Sequence, residues 1–175
     1  MEALIKKAKD GDRHALATLI DTHKTIAFNL ALKITNSEEE AKDITQESFL
    51  TVLENIKKFR NEAKFSTWLY RIVYNEALRV IKRKSVPIEG KHADALATES
   101  TDSLEQRESR QRLDAAIQEL NENERVVILL FYMAEKTIKE ITSITGFTES
   151  NTKVLLHRGR KQLKERLENE HQEKS

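Results

Sequence analysis

The sequence predicts an all-α protein made of two small helical domains joined by a flexible linker. Three observations carry this. Only four glycines and one proline occur in 175 residues, well below ordinary usage, which leaves too few breakers for a sandwich, a Rossmann unit or a Gly-rich phosphate loop. Apolar residues recur at helical spacing through both halves. One stretch, 85–108, has loop composition: it holds Pro87, Gly90 and a cluster of Ser, Thr and acids, and it divides residues 1–84 from 109–175.

The first half reads as four helices. Glu2–Lys9 is short and ends at Asp10-Gly11-Asp12. Arg13–Ile34 follows, with Ala15, Leu16, Leu19, Ile26, Leu30 and Ile34 near helical spacing. Ser37–Ile56 opens on Ser37-Glu38-Glu39-Glu40, a capping-box pattern in which the Ser hydroxyl and the third Glu satisfy each other's backbone donors. A basic loop, Lys57–Phe65, leads into Ser66–Lys84, with Ser66 as its cap. The acidic linker then gives way to Arg110–Leu120, Asn123–Ala134, Thr137–Ile144 and Thr148–Leu167; a helix from Ser103 is the alternative for the linker's second half. Thr137-Ile138-Lys139-Glu140 is a second capping box. In Thr145-Gly146-Phe147 a glycine stands where a positive φ is wanted, and Thr148 caps the next helix.

Composition excludes several functions. No cysteine is present, so disulfides, thiolate nucleophiles and zinc–thiolate sites are ruled out. The five histidines (14, 23, 92, 157 and 171) are dispersed, and no HExxH, GxSxG, Walker or GxGxxG pattern occurs. Neither enzyme nor metal or cofactor site is expected. Apolar runs are too short to span a membrane, and Met1 precedes Glu-Ala-Leu-Ile-Lys-Lys rather than a signal-like segment, so a cytoplasmic chain without membrane insertion is expected.

The net charge of +1 conceals a patchwork. Residues 37–56 sum to −5, 57–84 to +7, 85–108 to −4 and 149–166 to +4. Two basic blocks among acidic ones can serve a polyanion in a chain that is neutral overall.

Three segments carry candidate sites. Thr137–Leu167 has the helix-turn-helix plan. On its second helix Thr152, Leu156, Gly159, Leu163 and Leu167 can face a core. The opposite arc presents Ser150, Lys153, Val154, His157 and Lys161, flanked by Arg158 and Arg160. There Ser150, Lys153 and His157 can reach base edges in a major groove, Val154 a thymine methyl, and Arg158, Arg160, Lys161 and Lys164 the phosphates. A basic, solvated helix in a plain bundle is the alternative for this segment taken alone.

The second segment is the basic block 57–84, which contains Phe59, Phe65, Trp68, Tyr70 and Tyr74. Leu69, Val73, Ala77 and Val80 form an inward stripe, while Trp68, Arg71, Asn75, Arg79 and Lys82 share the other side. An aromatic ring beside cations and an amide suits unstacked bases; Phe65 and Tyr70 suit a core, and Trp68 suits either. The third is Ser37–Ile56. Its core arc takes Ala41, Ile44, Thr45, Phe49, Val52 and Ile56, and Asp43, Gln46, Glu47 and Glu54 surround Leu50 on the reverse, an arrangement fit for a basic partner. A lone exposed leucine is also commonplace.

With these segments in place, the chain resembles an extracytoplasmic-function (ECF) sigma factor of the bacterial sigma-70 family. Glu40-Ala41-Lys42-Asp43-Ile44-Thr45-Gln46-Glu47-Ser48-Phe49-Leu50 is similar to that family's clamp-binding segment. Phe65-Ser66-Thr67-Trp68-Leu69-Tyr70-Arg71-Ile72 with Asn75 resembles its promoter-melting helix. Leu156-His157-Arg158-Gly159-Arg160, after Thr148–Lys153, resembles its −35-reading helix, with Thr152 where an apolar residue is usual. The resemblance implies a region 2 four-helix bundle over 1–84 and a region 4 helix-turn-helix over 109–175. It implies that Asp43, Gln46, Glu47 and Leu50 dock on core RNA polymerase. Phe59, Arg60, Asn61, Lys64, Trp68, Arg71, Asn75 and Arg79 would bind the single-stranded −10 element, and Ser150, Asn151, Lys153, Val154, His157, Arg158 and Lys161 the duplex −35 element. It further implies transcription initiation without bond chemistry in this subunit, and an anti-sigma partner. The alternative from another class is a stand-alone helix-turn-helix regulator whose first half is an oligomerisation bundle.

Overall fold

The computed structural model describes residues 1–84 and 104–172, and among them every element is helical. The elements are α1 (Glu2–Lys9), α2 (Arg13–Thr35), α3 (Glu38–Asn55), a 3-10 turn (Ile56–Lys58), α4 (Phe65–Lys84), α5 (Leu104–Gln118), α6 (Glu122–Ile128), a π-helical turn (Leu129–Met133), α7 (Ile138–Thr145) and α8 (Glu149–Gln172). The chain divides into two compact units, one holding α1–α4 and the other holding α5, α6 and α8.

Local chemistry sets the helix ends of the first unit. Gly11 takes φ +95°, and the Asp12 side chain then accepts from the His14 and Ala15 amides at 2.9 and 3.1 Å, capping α2. Those backbone donors, Ala15 first, hold the Asp12 carboxyl below its ordinary range. Asn36, left-handed at φ 54°, ends α2, and Ser37 accepts from the Glu40 amide at 3.4 Å to start α3. α4 begins at Phe65, where the Lys64 carbonyl accepts from the Thr67 and Trp68 amides. Ser66 therefore stands inside the first turn rather than capping it.

Helices α2, α3 and α4 pack pairwise, and α1 lies along α2. Leu19, Ala27, Leu30, Ala31, Ala41, Ile44, Val52, Leu69, Val73 and Ala77 make the core, each large apolar side chain contributing about 1.5–3 kcal/mol through removal from water. Most of the expected stripe residues are buried, with Leu16, Ile26, Thr45 and Val80 at the margins. Phe65 and Tyr70 are core residues, and burial pushes the Tyr70 phenol up to about 12.

In the second unit α8 packs against α5 and α6. Gly159 permits the close crossing: a Cβ there would lie 2.7 Å from Ile128 Cγ1. Arg125 donates to the carbonyls of Ile117 and Leu120 at 3.3 and 2.9 Å, closing the end of α5, and burial lowers its guanidinium pKa. Glu124, itself buried, accepts from Gln162 at 2.8 Å. The Thr137 box forms in full: the Thr137 amide donates to Glu140 Oε2 at 2.9 Å, and the Glu140 amide donates back to Thr137 Oγ1 at 3.3 Å. Gly146 has φ +78°, and Thr148 accepts from the Asn151 amide at 3.1 Å.

Three further expectations change. Helix α5 starts at Leu104, so residues 104–108 are helix rather than linker; Leu-Glu-Gln-Arg-Glu contains no breaker, and its early glutamates favour a helix N-terminus. The flexibility expected of 85–103 lies outside the described residues. The helix expected over Asn123–Ala134 ends at Ile128 and widens into the π turn, where the Ala134 amide reaches the Leu129 carbonyl five residues back. Finally, α8 continues past Leu167 to Gln172.

Candidate functional site

Three solvent-facing helix surfaces assemble from these elements. On α3, the sides occupied by α2 and α4 take the apolar arc, and Asp43, Gln46, Glu47 and Glu54 are all exposed on the remaining side. Leu50 is 43% exposed among them, as expected, and Leu53 is 42% exposed at the margin of the same face. Two adjacent apolar side chains within an acidic rim make a stronger docking surface than one. Leu53 escaped the sequence reading because its position lies between the core and solvent arcs, where periodicity does not decide.

On α4, Arg71, Asn75 and Arg79 are exposed and Trp68 is half-buried. The indole stacks on Phe59 with ring centroids 4.8 Å apart and planes 25° apart, and meets Phe65 edge-on at 5.9 Å. Phe59 in turn packs edge-on to Phe65 at 6.1 Å, with the Lys9 ammonium 5.5 Å from its ring centre. Phe59 is only 7% exposed, so the structure places it beneath the site rather than open to a ligand. An apolar ring at the end of the 3-10 turn loses least by covering the neighbouring indole. Beside it the loop carries exposed Arg60, Asn61 and Lys64. Asn61 takes φ +59°, and Arg60 lies 3.8 Å from Glu62. Arg79 pairs with Glu76 at 3.1 Å, which reduces its reach toward an anion. The exposed cations around Trp68 suit a polyanion whose bases are unstacked.

On α8, Ser150, Asn151, Lys153, Val154, His157, Arg158 and Lys161 are all exposed, while Thr152, Leu155, Leu156 and Gly159 are buried. Thr152 occupies its core position because its hydroxyl donates to the Thr148 carbonyl at 2.9 Å, leaving no polar group unmet. Val154 is 43% exposed, which suits apolar contact at a base edge. Lys161 and Lys164 lie 3.7 Å from Glu165 and Glu168, loose surface pairs that an anion can displace. Arg160 behaves differently from the flanking cation expected of it. Its Nε donates to the Tyr132 hydroxyl at 2.6 Å, and its guanidinium sits 5.1 and 5.4 Å from the Phe131 and Tyr132 ring centres. Tyr132 was not singled out in the sequence, because it is 28 residues from Arg160 and no local pattern joins them.

Among the described residues no group of three or more His, Asp or Glu is placed to hold a metal ion, and no helix is long and apolar enough to cross a membrane.

Residues 19–86 match the family model of sigma-70 region 2, and residues 110–163 that of sigma-70 region 4. The chain is 32% identical to the ECF RNA polymerase sigma factor SigW of Bacillus subtilis, an alignment covering 95% of this chain and 98% of that protein. In fold it is similar to the sigma factor RpoE of Bartonella quintana, solved with the anti-sigma factor NepR. The TM-score there is 0.75 at 18% identity, over 87% of this chain and 96% of that one. It is likewise similar to CnrH, solved with the cytosolic domain of CnrY, with a TM-score of 0.72 at 20% identity over 95% and 96% of the two chains.

Proposed function

The chain belongs to the extracytoplasmic-function sigma factors of the sigma-70 family, promoter-specificity factors of RNA polymerase, and on that premise we propose how its residues divide the work. Asp43, Gln46, Glu47 and Leu50, joined by Leu53, dock α3 on a basic, partly apolar surface of core polymerase. The acids steer the encounter and the leucines are buried at contact. Trp68, Arg71, Asn75 and Arg79 on α4, with Arg60, Asn61 and Lys64 of the preceding loop, hold unstacked bases and backbone of the −10 element. Phe59 supports the indole from below. Ser150, Asn151, Lys153, Val154 and His157 read the duplex −35 element, and Arg158 and Lys161 contact its phosphates.

The mechanism is recognition without catalysis by this chain. Strand separation costs a few kcal/mol per unstacked step, and the α4 surface offsets that cost with stacking and charge offered only to separated strands. The chain acts in the cytoplasm, where polymerase and promoter are. An anti-sigma protein is a further partner, by analogy with the complex of RpoE with NepR.

The observation that carries this reading is the α4 surface: Arg71 and Asn75 stand open to solvent beside Trp68 on a helix whose opposite stripe is core. The stand-alone regulator is not favoured, since the first half matches region 2. Co-elution with core polymerase, followed by run-off transcription from promoter fragments, separates the two. Tight duplex binding without polymerase, together with failure to co-elute, would overturn the sigma reading.

A further inference from the structure

The geometry points to a phosphate clamp built from Tyr132 and Arg160, which engages the DNA backbone at the edge of the groove that α8 enters. The inference rests on the DNA-reading role of α8 and adds to it a residue from another element. Tyr132 is 56% exposed on the π turn, an unusual position for a large ring. Its hydroxyl accepts from Arg160 Nε at 2.6 Å, so the hydroxyl proton is left to be donated elsewhere. A hydroxyl that accepts from a cation is also a stronger donor. With Nε engaged, the two terminal nitrogens of Arg160 remain as donors at the exposed end of the side chain. The guanidinium is held against both rings of the Phe131–Tyr132 pair, which meet edge-on at 5.0 Å. Both donors are thus ordered before any ligand arrives, which lowers the entropy lost on binding.

Charge and placement select the ligand. A cation and a neutral hydroxyl donating side by side fit a singly charged, multi-oxygen acceptor such as a phosphodiester. At 100° per residue Arg160 lies about 20° from Lys153 around α8, on the same face as His157 and Lys164. It lies seven residues further along, about 10 Å at 1.5 Å per residue, and a major groove is about 12 Å wide. When Lys153 sits at a base edge, Arg160 and Tyr132 therefore stand near the flanking strand. The expected solvent-facing phosphate contact at Arg160 becomes a paired one, directed by Tyr132.

The test uses the full chain assembled with core RNA polymerase and a duplex carrying its −35 element. Single backbone phosphates are neutralised in turn as methylphosphonates. Neutralising one flanking phosphate is expected to weaken wild type, while Tyr132→Phe, already weaker by roughly three- to tenfold, shows no further loss at that phosphate. Tyr132→Phe should leave the salt dependence unchanged, because no cation is removed, and Arg160→Ala should lower its slope by about one. Arg160→Lys keeps the charge without the Nε fork, and should match Tyr132→Phe in affinity. If Tyr132→Phe binds every modified duplex as wild type does while Lys153→Ala loses affinity, the clamp is refuted and the α8 reading survives. If Lys153→Ala also binds normally, both fall.

Discussion

Replacing Trp68 with alanine tests the proposed melting surface most directly. A base stacked on an aromatic ring gains about 1–3 kcal/mol, and at about 1.4 kcal/mol per tenfold its loss shortens the open complex by roughly 5- to 150-fold. The same substitution removes the stack on Phe59 at 4.8 Å and the edge contact with Phe65 at 5.9 Å, each worth about 0.5–1.5 kcal/mol beyond area burial, so the fold is weakened too. Asn75→Ala separates the two effects. Asn75 is exposed, and its loss should change stability by no more than about 0.5 kcal/mol while removing hydrogen bonding worth about 1 kcal/mol, or roughly fivefold. Permanganate reactivity of −10 thymines and the lifetime of competitor-resistant complexes report melting, and gel filtration with core polymerase reports docking. Both variants should dock normally and melt poorly. Unchanged lifetimes in both, measured below the unfolding temperature of each, would refute the assignment of this face to separated strands.

Reversal of charge at the exposed Asp43 and Glu47, as Asp43→Lys with Glu47→Lys, should weaken association with core polymerase at least tenfold and leave urea unfolding within about 1 kcal/mol of wild type; equal association in a pull-down titration would remove α3 as the docking face. Arg158→Ala should lower the slope of log affinity against log salt by about one for any duplex, whereas Lys153→Ala should relax sequence preference at one position. Competition binding at several salt concentrations distinguishes them. Gly159→Val should cost about 1–3 kcal/mol or more in denaturant unfolding, because the added carbons meet Ile128 where a Cβ alone would come to 2.7 Å. A midpoint equal to wild type would mean that α8 does not cross α6 this closely.

What was legible beforehand was sequence-local. Helix ends follow from groups three or four residues apart, so the Thr137–Glu140 box, the Thr148 cap and the positive φ of Gly146 could be read directly. Buried stripes follow from period, which is why Leu19, Leu30, Val52, Leu69 and Val73 were expected inside and Asp43, Glu47, Lys153 and His157 outside. Family membership was legible for the same reason, since each motif occupies one helix.

Contacts between distant positions belonged to the tertiary structure. Phe59 and Trp68 are each plausible DNA contacts in a linear reading, and only the path of the loop puts one ring beneath the other. Arg160 read as a free cation until folding brought Tyr132 to its Nε from 28 residues away. Leu53 became part of a surface once α2 and α4 had taken the other sides of α3. Hydrogen bonding and helical period act over one or two turns, so the amino-acid order alone determines them. Which side chain meets which across elements depends on how whole helices pack, and that is decided only when the chain closes on itself.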